Sequence, residues 1–143
     1  MEKRIKRETV KEKGCFYFKN GYHCAEAVTA AALDEMGQDV AQAVAHATAF
    51  GGGFGKSFNE ACGALSGALI VIGHHYARTS QGESWDEAAE LASTIRDIFI
   101  EKFGTTHCGT LRERFGEEQP DHCARLTGEM AAALVDLLQD REN

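Results

Sequence analysis

Pro120 is the only proline in the chain, and that scarcity narrows the fold more than any other feature. Proline ends helices and marks turns. Here alanine, glutamate and leucine recur instead, β-branched runs are few, and apolar residues return every three to four positions. No alternating stretch is long enough to argue for a strand. The pattern predicts an all-α, single-domain helical bundle of about five to seven helices spanning residues 1–143.

The expected helices run over Lys3–Phe18, Tyr22–Met36, Asp39–Ala49, Phe58–Ala77, Trp85–Phe103, His107–Phe115 and Asp121–Gln139. A glycine-rich loop, Gly51-Gly52-Gly53-Phe54-Gly55, precedes the fourth. Two capping boxes are expected, Ser57 with Glu60 and Ser84 with Glu87. Gly37, Gly104 and Gly116 mark stops. The stripe Trp85, Ala88, Ala92, Ile95, Phe99 and Phe103 gives the fifth helix its apolar face.

Against this background the cysteines stand out. Four of the five follow an expected helix start: Cys24, Cys62, Cys108 and Cys123. Unpaired N–H groups and the positive end of the helix dipole favour anions there, so a thiolate is expected to be stabilised. Each also falls on the apolar side of its helix: Cys24 with Val28 and Ala31, Cys62 with Leu65, Leu69, Ile72 and Tyr76, Cys108 with Leu111 and Phe115, and Cys123 with Leu126, Met130 and Leu134. Helices packed round one core could bring all four together. A free cysteine is also an ordinary small core residue, and Cys15, near the end of the first helix, keeps that role. Histidine precedes three of the four, as His23, His107 and His122. Adjacent residues on a helix diverge too far for each His-Cys pair to aim at one ion, so these histidines are expected to support the site or lie on the surface. His74 and His75 suit the C-terminal end of the fourth helix, and His46 a helix surface or the core.

Other functions are disfavoured. A net charge of -7 argues against a nucleic-acid partner. The apolar run Ala61–Gly73 is too short to span a membrane. The N-terminal segment lacks the apolar run of a secretory signal, so a cytoplasmic chain is expected, where cysteines serve metal or redox chemistry more than structural disulfides. Gly55-Lys56-Ser57 imitates a phosphate loop, but the spacing to an upstream glycine fails and the segment follows a helix rather than a strand. The loop is better suited to close backbone approach, with Gly52, Gly53 and Gly55 beside the fourth helix. Gly63 and Gly67 share a bare face of that helix. Close helix packing is the favoured reason, and approach of a bound group at Cys62 the other. A homodimer through this face is a further option.

The run Cys62-Gly63-Ala64-Leu65-Ser66-Gly67 behind Gly-Gly-Gly-Phe-Gly, with Cys24 upstream and Cys108 and Cys123 downstream, resembles the C_GCAxxG_C_C family of redox-active proteins. The resemblance covers about Tyr17 to Leu138, and Cys15 has no counterpart in it. It implies a redox or metal function for the four cysteines. The chain is also similar to a region of the split-Soret cytochromes c, which implies iron–sulfur binding. Their haem needs Cys-x-x-Cys-His, a run absent here.

Three functions are therefore expected. The first is an iron–sulfur cluster, with zinc as second choice, on Cys24, Cys62, Cys108 and Cys123, for electron transfer or redox sensing with a partner this sequence does not identify. The absence of any Cys-x-x-Cys pair makes such a site unusual. The second is thiol–disulfide chemistry with Cys62 as the attacking thiol. The third is a non-catalytic interaction module with core cysteines. No acid–base constellation beyond the thiols points to a particular enzyme reaction.

Overall fold

A computed structural model describes residues 4–142. Seven α-helices follow one another: α1 Arg7–Lys19, α2 Cys24–Glu35, α3 Ala41–Ala47, α4 Gly63–Tyr76, α5 Asp86–Phe103, α6 Cys108–Phe115 and α7 Gln119–Glu142. Short 3-10 turns at Thr48–Phe50 and Gly116–Glu118 follow α3 and α6. Among the described residues there is no strand, only an isolated antiparallel bridge between Ala61 and His107. The all-α expectation holds. No helix is long and apolar enough to cross a membrane among the described residues.

Helix α2 is the hub. Every residue from Thr29 to Leu33 is buried, so this helix is covered on all sides by α1, α3, α4 and α7. Its alanines explain how: small side chains let neighbouring backbones come close on several faces at once. Helix α4 makes the closest approach. A Cβ on Gly63 would lie 3.0 Å from the Ala25 amide nitrogen, and one on Gly67 would run into the Ala25 carbonyl. The bare face of α4 is thus filled by α2 and is not open to a second copy of the chain. The roughly 1 kcal/mol that each glycine costs a helix is offset by this packing. Thr29 Oγ1, buried at the same crossing, donates to the Ala25 carbonyl at 2.8 Å.

The other long contact joins α1 to α7, where Gly14 meets Gly128 and Cys15 Sγ donates to the Ala124 carbonyl at 3.3 Å. Cys15 belongs to that helix contact. Leu91, Ile95 and Phe99 of α5 complete the core with Ile72 of α4 and Leu134 and Leu138 of α7.

Several local expectations are corrected. The start at Lys3 lies outside the described residues; helix α1 is described from Arg7. Helix α4 begins at Gly63, not Phe58, because the chain from Gly52 to Lys56, and again at Phe58, is left-handed. Ser57 therefore caps no helix: its Oγ accepts from Asn59 N at 3.2 Å within the loop. Ser84 likewise accepts from Asp86 N, and Trp85 occupies the cap of α5 without a side-chain bond. Trp85 is 57% exposed and Leu69 39%, so neither belongs to the buried stripe expected of it, while Leu91 does. Helix α7 starts two residues earlier than expected, with Pro120 in its first turn, where a missing N–H leaves no gap in the ladder.

Candidate functional site: a four-thiol cavity

Each cysteine reaches the site through its own local device. His23 is the N-cap of α2: its Nδ1 accepts from Glu26 N, and Glu26 Oε1 accepts from His23 N at 3.3 Å. With Nδ1 accepting, Nε2 carries the proton and donates to the Thr48 carbonyl at 2.8 Å. The ring lies so close to Gly51 that a Cβ there would fall 2.6 Å from Nε2. One histidine therefore fixes both the start of α2, with Cys24 as first residue, and the path of the glycine loop. His107 does the same for α6, accepting from Thr110 N at 3.1 Å and leaving Cys108 as first residue. These caps are what sequence reasoning missed. His is not a preferred cap, although Glu26 three residues after His23 was a readable half of a capping box. His122 instead stacks on Phe115, ring centroids 4.8 Å apart.

Cys62 and Cys108 flank the Ala61–His107 bridge, one on each segment. Cys62 N donates to the Thr106 carbonyl at 2.7 Å, Cys108 N to Glu60 O at 2.9 Å, and Gly109 N to Phe58 O at 2.7 Å. Cys62 is the N-cap of α4, and its side chain makes no capping bond. Cys123 lies one turn into α7, where Gln119 Nε2 donates to its sulfur at 3.0 Å.

The loop above these residues is strained. Gly52, Gly53, Phe54, Gly55 and Lys56 all have φ between 59° and 66°, and Phe58 has 62°. Left-handed backbone costs a non-glycine residue roughly 1–2 kcal/mol. Hydrogen bonds from Lys56 N to Gly51 O (3.1 Å) and from Phe58 N to Gly52 O (2.9 Å) hold the turn. A Cβ on Gly53 would come within 2.7 Å of the Cys108 Cβ, so this glycine presses directly on a site cysteine. Strain of this kind, held by its surroundings, is a mark of functional segments.

Cys24, Cys62, Cys108 and Cys123 line one cavity of about 640 Å³. Gly52, Gly55 and Gly63 line it as well; Gly67 faces α2 instead. Cys24 packs against the start of α4, where a Cβ on Gly63 would lie 3.3 Å from the Cys24 Cβ. All five cysteines are free, and among the described residues no three His, Cys, Asp or Glu side chains form a group arranged to hold a metal ion.

Three of these thiols are more resistant to ionisation than helix starts alone would predict. The Cys123 contact favours the Cys24 thiolate, but Cys62 and burial outweigh it and push Cys24 up. Contact with Cys24, and then burial, raise Cys123. Burial raises Cys108, opposed by the Arg112 charge. Crowding and desolvation override the helix dipole, because the charged form loses water and a neighbouring thiolate would repel it.

The sequence pattern of the family described as "Putative redox-active protein (C_GCAxxG_C_C)" matches residues 22–137, nearly the whole chain. The chain belongs to the C_GCAxxG_C_C family. No curated protein and no solved structure matches it. The matched span holds Cys24, Cys62, Cys108 and Cys123 and leaves out Cys15. Those four line the cavity and Cys15 does not.

Proposed function

We propose that this family member is a redox protein working by dithiol–disulfide exchange in the four-thiol cavity. The observation that carries the reading is that Cys24, Cys62, Cys108 and Cys123 line one cavity, with Cys24 packed against the start of α4 beside Cys62, where a Cβ on Gly63 would lie 3.3 Å from the Cys24 Cβ. Cys62, at the N-terminus of α4 where the helix dipole favours negative charge, is the attacking thiol. Its thiolate bonds to one sulfur of a disulfide substrate, and the departing thiolate takes up a proton. Cys24 then loses its proton and attacks the Cys62 sulfur. The Cys24–Cys62 disulfide forms and the second substrate thiolate leaves and is protonated. Two electrons and two protons pass from the protein to the substrate. Cys123, lining the same cavity, can attack that disulfide at the Cys24 sulfur in turn, releasing the Cys62 thiolate, and pass oxidation toward Cys108.

A second reading is a metal centre on Cys24, Cys62, Cys108 and Cys123. The donor chemistry fits, since four thiolates suit an iron–sulfur cluster or zinc. When bound, a cluster would supply one-electron transfer. The spacing of the thiols fits less well, because no three of them form a metal-holding group.

Anaerobic purification with iron, sulfide, zinc and thiol counts separates the two. Exchange predicts metal-free protein that forms a Cys24–Cys62 disulfide with a mild disulfide oxidant, identified by peptide mass. Stoichiometric iron and sulfide, or zinc, would favour the second reading. Metal-free protein that keeps every thiol after oxidation would overturn both.

A further inference from the structure

The charge of the cavity is opposite to that of the chain. The net charge is -7, with 22 acidic residues against 15 basic ones. Yet the residues lining the cavity include Lys19, Lys56 and Arg112 and no aspartate or glutamate. Among the described residues, none of these three cations forms an ion pair. Among the described residues away from the cavity, Arg4, Arg7, Lys11, Lys13, Arg96, Lys102 and Arg141 are paired, whereas Lys6, Arg78, Arg114 and Arg125 are not. Arg112 lies 4.2 Å over the Phe58 ring, which holds its guanidinium on the cavity wall without neutralising it. Lys56 is kept there by the left-handed turn, at φ 62°. Phe18, Tyr22 and Phe115 supply apolar wall. A cavity of about 640 Å³ falls within the range that encloses a small organic ligand.

We propose that the cavity binds a small organic anion, and that its redox substrate is an anionic disulfide carrying carboxylate groups. This rests on the exchange reading for the disulfide part; the anion preference rests on the cations and the wall alone. Lys56 and Arg112 position the carboxylates while the aromatic walls hold the apolar part. The disulfide sulfur is then presented to Cys62. The same field draws anions to the mouth of an otherwise acidic protein and disfavours cationic disulfides.

The test compares two aromatic disulfides, the dianionic dithiobis-nitrobenzoate and the neutral dithiodipyridine, as oxidants of the reduced protein. The ratio of their rate constants is read in the wild type and in Lys56→Gln, Arg112→Gln and Lys6→Gln. Lys6 does not line the cavity. The ratio should fall about twofold to fivefold in each of the first two variants, the scale of one solvent-exposed ion pair. It should fall further with added salt and stay unchanged in Lys6→Gln. An unchanged ratio in both cavity variants would overturn the proposal. A variant of all four cavity cysteines to serine, checked for helicity, is then titrated with dithiobis-nitrobenzoate by calorimetry. Salt-sensitive binding there, beside a wild type that forms no Cys24–Cys62 disulfide, would sustain the anion site and reject the exchange reading. No binding together with an unchanged rate ratio would reject the anion site and leave exchange standing.

Discussion

Helix α4 offers two glycines in opposite situations. A Cβ on Gly67 would collide with the backbone of Ala25, its Cα and carbonyl carbon 3.1 Å away. A Cβ on Gly73, in the same helix, would meet nothing within 4 Å. Both substitutions to alanine gain helix propensity, about 0.8–1.0 kcal/mol for an interior position. Only Gly67→Ala must push two backbones apart, and overpacking of a tight contact costs about 1–3 kcal/mol. The propensity gain is common to both, so the difference between the variants isolates the packing contribution. Gly73→Ala is expected to stabilise by up to about 1 kcal/mol. Gly67→Ala should lie below it by about 1–3 kcal/mol. For a chain of this length that separates the midpoints by roughly 2–12 °C, at about 2–4 °C per kcal/mol. Urea denaturation followed by circular dichroism gives both free energies, and equal slopes confirm that only stability changed. Because Ala25 adjoins Cys24, Gly67→Ala should also slow formation of the Cys24–Cys62 disulfide. Equal stability of the two variants would refute the argument that the α2–α4 approach justifies these glycines.

Lys56→Gly relieves a left-handed φ of 62° and should raise stability by about 1 kcal/mol in the same urea assay, although it removes a cavity cation. Gly53→Ala should do the reverse, since it adds both strain at φ 60° and a contact with Cys108; thermal melting reads the loss. Cys15→Ser should leave the rate and products of cavity oxidation unchanged, as followed by thiol titration, because Cys15 belongs to the α1–α7 contact. The folded protein holds Cys24, Cys108 and Cys123 in the thiol form above the ordinary pKa of 9.0. Their stabilising contribution is complete below that pH and is lost as pH rises, because the unfolded chain ionises first. Urea midpoints should therefore fall from about pH 9 upward, and less steeply when Cys123 is changed to serine.

Much of this was legible in the chain. Helix periodicity and the near absence of proline set the fold class, because an amphipathic helix writes its buried face locally, residue by residue. The paired glycines of the Cys-Gly-Ala-x-x-Gly run announced a close neighbour of α4. The neighbour's identity, α2, was not readable, since nothing at Gly67 specifies the Ala25 carbonyl. The beginning of α4 was misplaced because Ser57 and Glu60 satisfy the pattern of a capping box while the loop's backbone is already turned left-handed. His23 and His107 were visible as neighbours of cysteines, but their capping bonds depend on a ring orientation that residue order does not encode.

The sequence by itself determined which four thiols differ from the fifth, and that each would sit near one end of a helix on its inward side. Local propensity and periodicity are enough for that. Tertiary structure alone decided their chemistry. It brought Cys24, Cys62, Cys108 and Cys123 to one cavity, and it bonded the segment before α4 to the start of α6. It also gathered Lys19, Lys56 and Arg112 around the same cavity. A helix dipole acts along the element that makes it, so it can be read from sequence. Burial and the crowding of groups from other elements arise only when distant segments meet, and at Cys24, Cys108 and Cys123 they are the stronger effect.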